Sequence, residues 1–285
     1  MGTCAYANCE SGWLHPWRSR TLPVFEGGWT CSAECTQGQM QAAVRREMEG
    51  RDRLREEYRH RIPVGLLMLD KGWISQAQLK QALEAQKQAG RGRLGHWLVA
   101  QGATNEERVA RALGMQWSCP VMEPEGRGTE RLAIAMPRLF VEAFGALPLR
   151  LAGGRVLYLG FEERLDPILA LGVERMNGIR VESGVVPWSD FRPAHARMLK
   201  AEFAPVELVE AASERAAVMA LAKAVETTRP VESKLIRVHD CLWLRMWTRL
   251  PETVVETDDT RDLSSSASLP ERGAVKDMVC SISAF

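Results

Sequence analysis

A modular α+β fold is predicted by three observations. The chain opens with a cysteine-rich stretch, then carries a thirty-residue repeat at helical spacing, then alternates strand and helix signals. The expected parts are a small Cys4 module (1–44), a charged helical linker (45–61) and a central domain (62–190). That domain divides into a tandem helical-hairpin repeat (62–117) and a small α/β part of hairpin, helix and strand (132–190). C-terminal helices (191–250) and a disordered tail (251–285) complete the expectation.

With 285 residues, 46% of them hydrophobic, the chain can bury more than one core. Lys plus Arg (37) and Asp plus Glu (36) nearly cancel. That balance removes the broad basic footprint of a protein that coats nucleic acid, so nucleic acid is not an expected partner. The N-terminus lacks a basic start followed by an apolar stretch. The longest apolar runs, Val64–Leu69 and Ala216–Ala222, are too short to cross a bilayer. The reading is a cytoplasmic chain with no direct membrane insertion.

In the first module, Cys4-x4-Cys9 and Cys31-x3-Cys35 form two pairs. Zinc takes four tetrahedral thiolate or imidazole ligands, and paired ligands on tight turns supply them at little entropic cost. Reduced free cysteines are the alternative. The second pair falls at the first turn of an expected helix, whose dipole favours thiolate charge. With Trp29 ahead of it, the segment resembles treble-clef zinc modules, and a metal would supply most of its stability. Four cysteines leave no open position for water, so the zinc is expected to be structural. His15 reads as a turn histidine. From Arg45 to Arg61, arginines interleaved with acids suit a solvated helix or stiff connector.

The repeat reads Val64-Gly65-(x6)-Gly72-(x6)-Leu79-(x2)-Ala82-Leu83-(x2)-Gln86 and then Leu94-Gly95-(x6)-Gly102-(x6)-Val109-(x2)-Ala112-Leu113-(x2)-Gln116. Each copy predicts a short helix ended by its glycine and a longer one capped by Ser75 or Thr104-Asn105. Leu79, Ala82, Leu83 and Gln86 share one helical face, and neither copy can bury that stripe alone. Next, Ala146–Leu151 and Arg155–Phe161 flank Gly153-Gly154, a hairpin signal. Asp166-Pro167 opens a helix to about Asn177, Gly178 stops it, and Ile179–Val186 reads as a strand. Beyond it, helices are expected at about 194–202, at 206–227 and around His239–Arg249, with Trp243 and Trp247 as helix core.

On these motifs, residues 63–190 resemble the N-terminal domain of the type II secretion and type IV pilus assembly ATPases (the GspE/MshE type). That family carries tandem motifs of the form Arg-Leu-Gly-x2-Leu-x3-Gly-x6-Leu-x2-Ala-Leu-x2-Gln. The resemblance implies cyclic di-GMP as a ligand, one guanine half to each motif, and a secretion- or pilus-type machine as partner. In the second motif Arg93 would meet guanine or phosphate. Leu94 and Leu98 would supply apolar contact, Gly95 and Gly102 close backbone approach, and Gln116 the end of the motif; Val109 replaces a leucine, and Leu113 is kept. The first motif keeps Gly65, Gly72, Leu79, Leu83 and Gln86, but Pro63 stands in place of the arginine, with Val64 and Met68 for leucines. Loss of one charge-assisted bond costs about 1.5–3 kcal/mol. Arg61 is the nearest substitute. The alternative is a packing or docking repeat that has lost the nucleotide.

The phosphate loop of the full-length ATPases is absent, since no Gly-Lys dipeptide occurs. Glu162-Glu163 and Asp258-Asp259 read as solvated charge, and Cys119 as a buried thiol. The expectation is therefore a non-catalytic adaptor, with a ligand-free interaction scaffold as the competing class.

Overall fold

The computed structural model describes residues 4–9, 23–49, 61–124, 129–249, 269 and 274–282. The N-terminal strands β1 (Val24–Phe25) and β2 (Gly28–Trp29) form a small antiparallel hairpin, turning through Glu26 and Gly27 at positive φ. Helix α1 (Ala33–Glu49) follows and runs across the expected module boundary at residue 44. The remainder of the expected linker, 50–60, lies outside the described residues, as do His15 and Asp258-Asp259.

The repeat forms four helices: α2 (Val64–Asp70), α3 (Gln76–Ala89), α4 (Leu94–Ala100) and α5 (Glu106–Trp117). Ser75 makes a reciprocal capping box with Gln78, and the Asn105 side chain accepts from the Arg108 N–H. Gly72 and Gly102, just past the short helices, sit at φ 65° and 68°, where a side chain would be strained. Across the copies, α3 packs on α4 and α2 on α5, so each copy buries its stripe against the other.

After a 3-10 segment (Thr129–Ala135) come α6 (Arg138–Phe144), β3 (Ala146–Ala152), β4 (Val156–Phe161), α7 (Pro167–Asn177), β5 (Arg180–Val185) and α8 (Trp188–Met198). The sheet order is β3-β4-β5, with β3 antiparallel and β5 parallel to β4. Asp166 caps α7 through the Leu169 N–H, Pro167 fills its first turn, and Gly178 ends it in the left-handed region.

The C-terminal part departs from the expected helices and tail. Among the described residues there, only α8 and α9 (Glu214–Thr228) are helical; β6 (Val206–Ala211), β7 (Glu232–Val238), β8 (Cys241–Trp247) and β9 (Val275–Ile282) form a sheet in the order β6-β9-β8-β7. The expected helix 206–227 begins instead as a strand, because Ser213 caps the helix by accepting from the Ala216 N–H. The expected third helix is a hairpin turning at His239-Asp240, with His239 at φ 52°. Both faces of β8 are covered, which erases the alternation that marks a strand. Residues 275–282, read as disordered tail, are the strand between β6 and β8; most of the rest of that tail lies outside the described residues.

Two cores result. One joins the repeat, the α/β part and the inner face of the C-terminal sheet, including Trp243, Trp247 and Val279. The other lies on that sheet's outer face, where Leu235, Leu244 and Met278 meet α9 together with Phe25, Met40 and Val44. The cysteine module is thus docked on the C-terminal sheet. The β1 strand bonds along β7 (Val24 N to Pro230 O, 3.0 Å; Glu26 N to Ser233 O, 2.7 Å). Glu47 of α1 accepts from Arg175, Arg46 and the Arg237 N–H. Burial works against its charge, yet these donors hold its carboxyl below the ordinary range.

Candidate functional site

The cysteine cluster is assembled from three local features. Cys4 sits beside the strand bond from Ala5 N to Trp29 O (2.8 Å), and Cys9 closes a turn on Tyr6 (3.1 Å). Cys31 leaves β2, and Cys35 enters the first turn of α1, where its N–H donates to Ser32 Oγ. The four sulfurs lie within 4.8 Å of one another, with Cys9–Cys31 at 3.4 Å and Cys31–Cys35 at 3.6 Å. Tetrahedral coordination at a metal–sulfur length of about 2.3 Å sets sulfurs about 3.8 Å apart, so the four thiols fit such an ion. Burial and the neighbouring thiols push the Cys35 thiol up to about 12 and raise Cys4. A metal would have to displace those protons.

Exchange symmetry organises the repeat. Gln86 Nε2 donates to Gly92 O (2.9 Å), just ahead of the second motif. Gln116 Nε2 donates to Ile62 O (2.7 Å), the equivalent atom ahead of the first. Each motif's start is held by the other motif's glutamine, a pseudo-two-fold closure. The glycines allow close helix packing: a methyl on Gly65 would meet Leu79 of its own copy and Leu94 of the other, and one on Gly95 would meet Val109 of its own copy. Leu98, Val109 and Leu113 are buried, Leu94 is half-buried, and Leu79 is half-buried while Leu83 is 46% exposed. Arg61 lies over the Trp117 ring at 3.6 Å and donates to Gln116 O, beside the first motif's start.

Arg93, at the N-cap of α4, is half exposed and pairs with Glu163 at 3.1 Å. It borders a cleft of about 600 Å³ that Trp117, Glu163, Asp166, Phe191 and His239 also line. Glu162 and Glu163 are not solvated turn charge. Both are largely buried, Glu162 accepting from Arg192 (2.7 Å) and facing His96, whose ring meets Trp188 edge-on. Burial raises the Glu163 carboxyl despite Arg93. His239 Nε2 donates to Asp166 Oδ2 at 2.6 Å and stacks on Phe144. Sequence reasoning missed these partners because each pair is distant in the chain and belongs to no motif. Cys119, read as a buried thiol, is half-buried, and that burial raises its thiol.

Among the described residues, no helix is long and apolar enough to cross a membrane. No family model and no curated protein matches the sequence. Among solved structures, the chain is similar to MshE with cdg, at 26% identity and a TM-score of 0.40 over 48% of this chain and 99% of that one. It is also similar to the N-terminal domain of XpsE in two crystal forms. One match has 16% identity and a TM-score of 0.33, covering 47% of this chain and 92% of that one. The other has 20% identity and a TM-score of 0.26, covering 46% and 90%. Each of these matches spans just under half of this chain.

Proposed function

We propose that this chain is a non-catalytic cytoplasmic adaptor that docks to a secretion or pilus-like machine, with cyclic di-GMP as the ligand of its repeat and zinc in its thiol cluster. The reciprocal glutamine closure carries this reading. It makes two equivalent motif starts into one two-fold unit, the symmetry of a ligand with two like guanine halves. Arg93, which here pairs with Glu163, would supply the charge on one side. On the other, Pro63 supplies none, and Arg61 is already engaged with Trp117. Binding is therefore lopsided and weakened, by about ten- to a hundredfold for one lost charge-assisted bond.

The second reading, a scaffold without a nucleotide, is favoured by one observation: Gln86, Gln116 and Gly65 are used in packing the two copies together, and Gly95 in packing within the second. Calorimetric titration of cyclic di-GMP into the zinc-loaded protein separates the two. Saturable heat that disappears in Arg93→Ala, with the fold intact by circular dichroism, supports the sensor. Absence of heat at high ligand concentration leaves the scaffold.

A further inference from the structure

The two edges of the C-terminal sheet are treated differently. The β7 edge is covered at its start by β1, through Val24 N to Pro230 O and Glu26 N to Ser233 O, whereas among the described residues no strand lies along the outer side of β6. The direction of the backbone groups on β6 follows from one bond, Asp277 N to Pro205 O at 2.9 Å. In a parallel ladder alternate residues face alternate neighbours. Residues 205, 207 and 209 therefore face β9, and the N–H and C=O groups of Val206, Leu208 and Glu210 point outward. Leu208, at the middle of this row, is 67% exposed. Val209, on the opposite face, packs against the α9 core.

We propose that the open β6 edge pairs antiparallel with β6 of a second copy of this chain, about a two-fold axis through Leu208. The sequence of the strand, Val-Glu-Leu-Val-Glu-Ala, sets its one central leucine against itself in that register. Leu208 then meets Leu208 of the second copy, Val206 meets Glu210, and Glu207 meets Val209, so no carboxylate opposes another. Moving the axis to Glu207 sets that glutamate against itself, a destabilising like-charge pair. Moving it to Val209 removes the Leu208–Leu208 contact at the centre of the edge. In the Leu208 register the outward groups of Val206, Leu208 and Glu210 all find partners, and the two four-stranded sheets become one. The interface is isologous, so it closes at two copies. Charge and proline commonly blunt an edge against such pairing. Here Pro205 lies just before the strand with its carbonyl already used, and Glu207 is partly neutralised by Lys276 at 3.5 Å.

The test is sedimentation and light scattering on the full chain over a concentration series, with two variants. Leu208→Lys sets two ammonium groups against each other on the axis. Leu208→Pro removes an outward N–H that no bond within the chain's own ladder uses. The expected result is a wild-type mass that rises to twice the 31.8 kDa of one chain, with Leu208→Lys remaining at one chain and showing an unchanged far-ultraviolet spectrum. A wild type that stays at one chain throughout overturns the proposal, as does a dimer that survives Leu208→Lys. Should Leu208→Pro perturb the fold, the lysine variant alone decides. Neither outcome depends on nucleotide binding at the repeat.

Discussion

Arg245 and Asp277 are both fully buried and paired through two bonds of 2.8 Å. Asp277 also accepts from Trp243 Nε1 (2.9 Å), and Arg245 donates to Asn177 Oδ1 (2.8 Å) and Ala135 O (3.3 Å). The pair thereby ties β8 and β9 to α7 and the 3-10 segment. Removing one partner leaves a buried charge uncompensated, and Asp277→Ala is expected to lose about 3–5 kcal/mol in urea unfolding. Replacing both partners with apolar residues should recover only part of this, because the indole and Asn177 would keep unpaired groups. Asp166 gives a pH signature. Burial opposes its charge, but the His239 bond and the α7 N–H groups hold its carboxyl below the ordinary range. With a depressed folded value, its contribution is present above its unfolded pKa of about 3.9 and is lost as pH falls through the folded value. Unfolding followed by acid titration should show that loss in the wild type, and Asp166→Asn should flatten it.

Helix pairs in the repeat depend on close approach at two glycines, and the neighbours differ. On Gly95 a methyl would fall 2.6 Å from Val109 Cγ1, a β-branched side chain with one favoured rotamer in a helix. On Gly65 it would meet the ends of Leu79 and Leu94, which can swing away. Gly95→Ala is expected to cost about 1–3 kcal/mol and Gly65→Ala less, with Val109→Ala restoring part of the first loss; thermal melts of the three variants check this. These helices were legible because their signals are local: Ser75, Asn105 and the glycines sit where caps belong. The α7 helix was legible for the same reason, through Asp166, Pro167 and Gly178. The C-terminal sheet was not. Its strand β8 has no polar face, and β9 is separated from its neighbour by a polar, aperiodic stretch, so the residues that justify it, Arg245 and Trp243, act only through space. In the candidate sites the four cysteines were readable from spacing. Glu163 beside Arg93 was not, since only the fold brings the turn after β4 to the start of α4.

At the level of the whole molecule, the cysteine module is a side of the C-terminal sheet, separated by the entire repeat in sequence. Phe25, Met40, Ala43 and Val44 fill the core beneath α9, β1 extends β7, and Glu47 joins Arg175 of α7 to the Arg237 backbone. Four thiols gather where β2 leads into α1, with burial raising Cys4 and pushing Cys35 up to about 12. A metal binding there must release protons, so its affinity weakens as pH falls. Removing it frees the turn that fixes α1 against α9, and the loss should travel through that shared core rather than along the chain. Hydrogen exchange with and without a strong zinc chelator is the direct measurement. The expected pattern is lost protection in residues 24–49 and in the β7 and α9 segments they cover, with the helices of 64–117 unchanged, because they share no core with α1. Uniform loss across the repeat would mean that the metal supports the molecule globally. No change anywhere would mean that the thiols hold no structural ion. Cys35→Ser should reproduce the chelator pattern without a chelator, since it removes the ligand that lies on α1 itself.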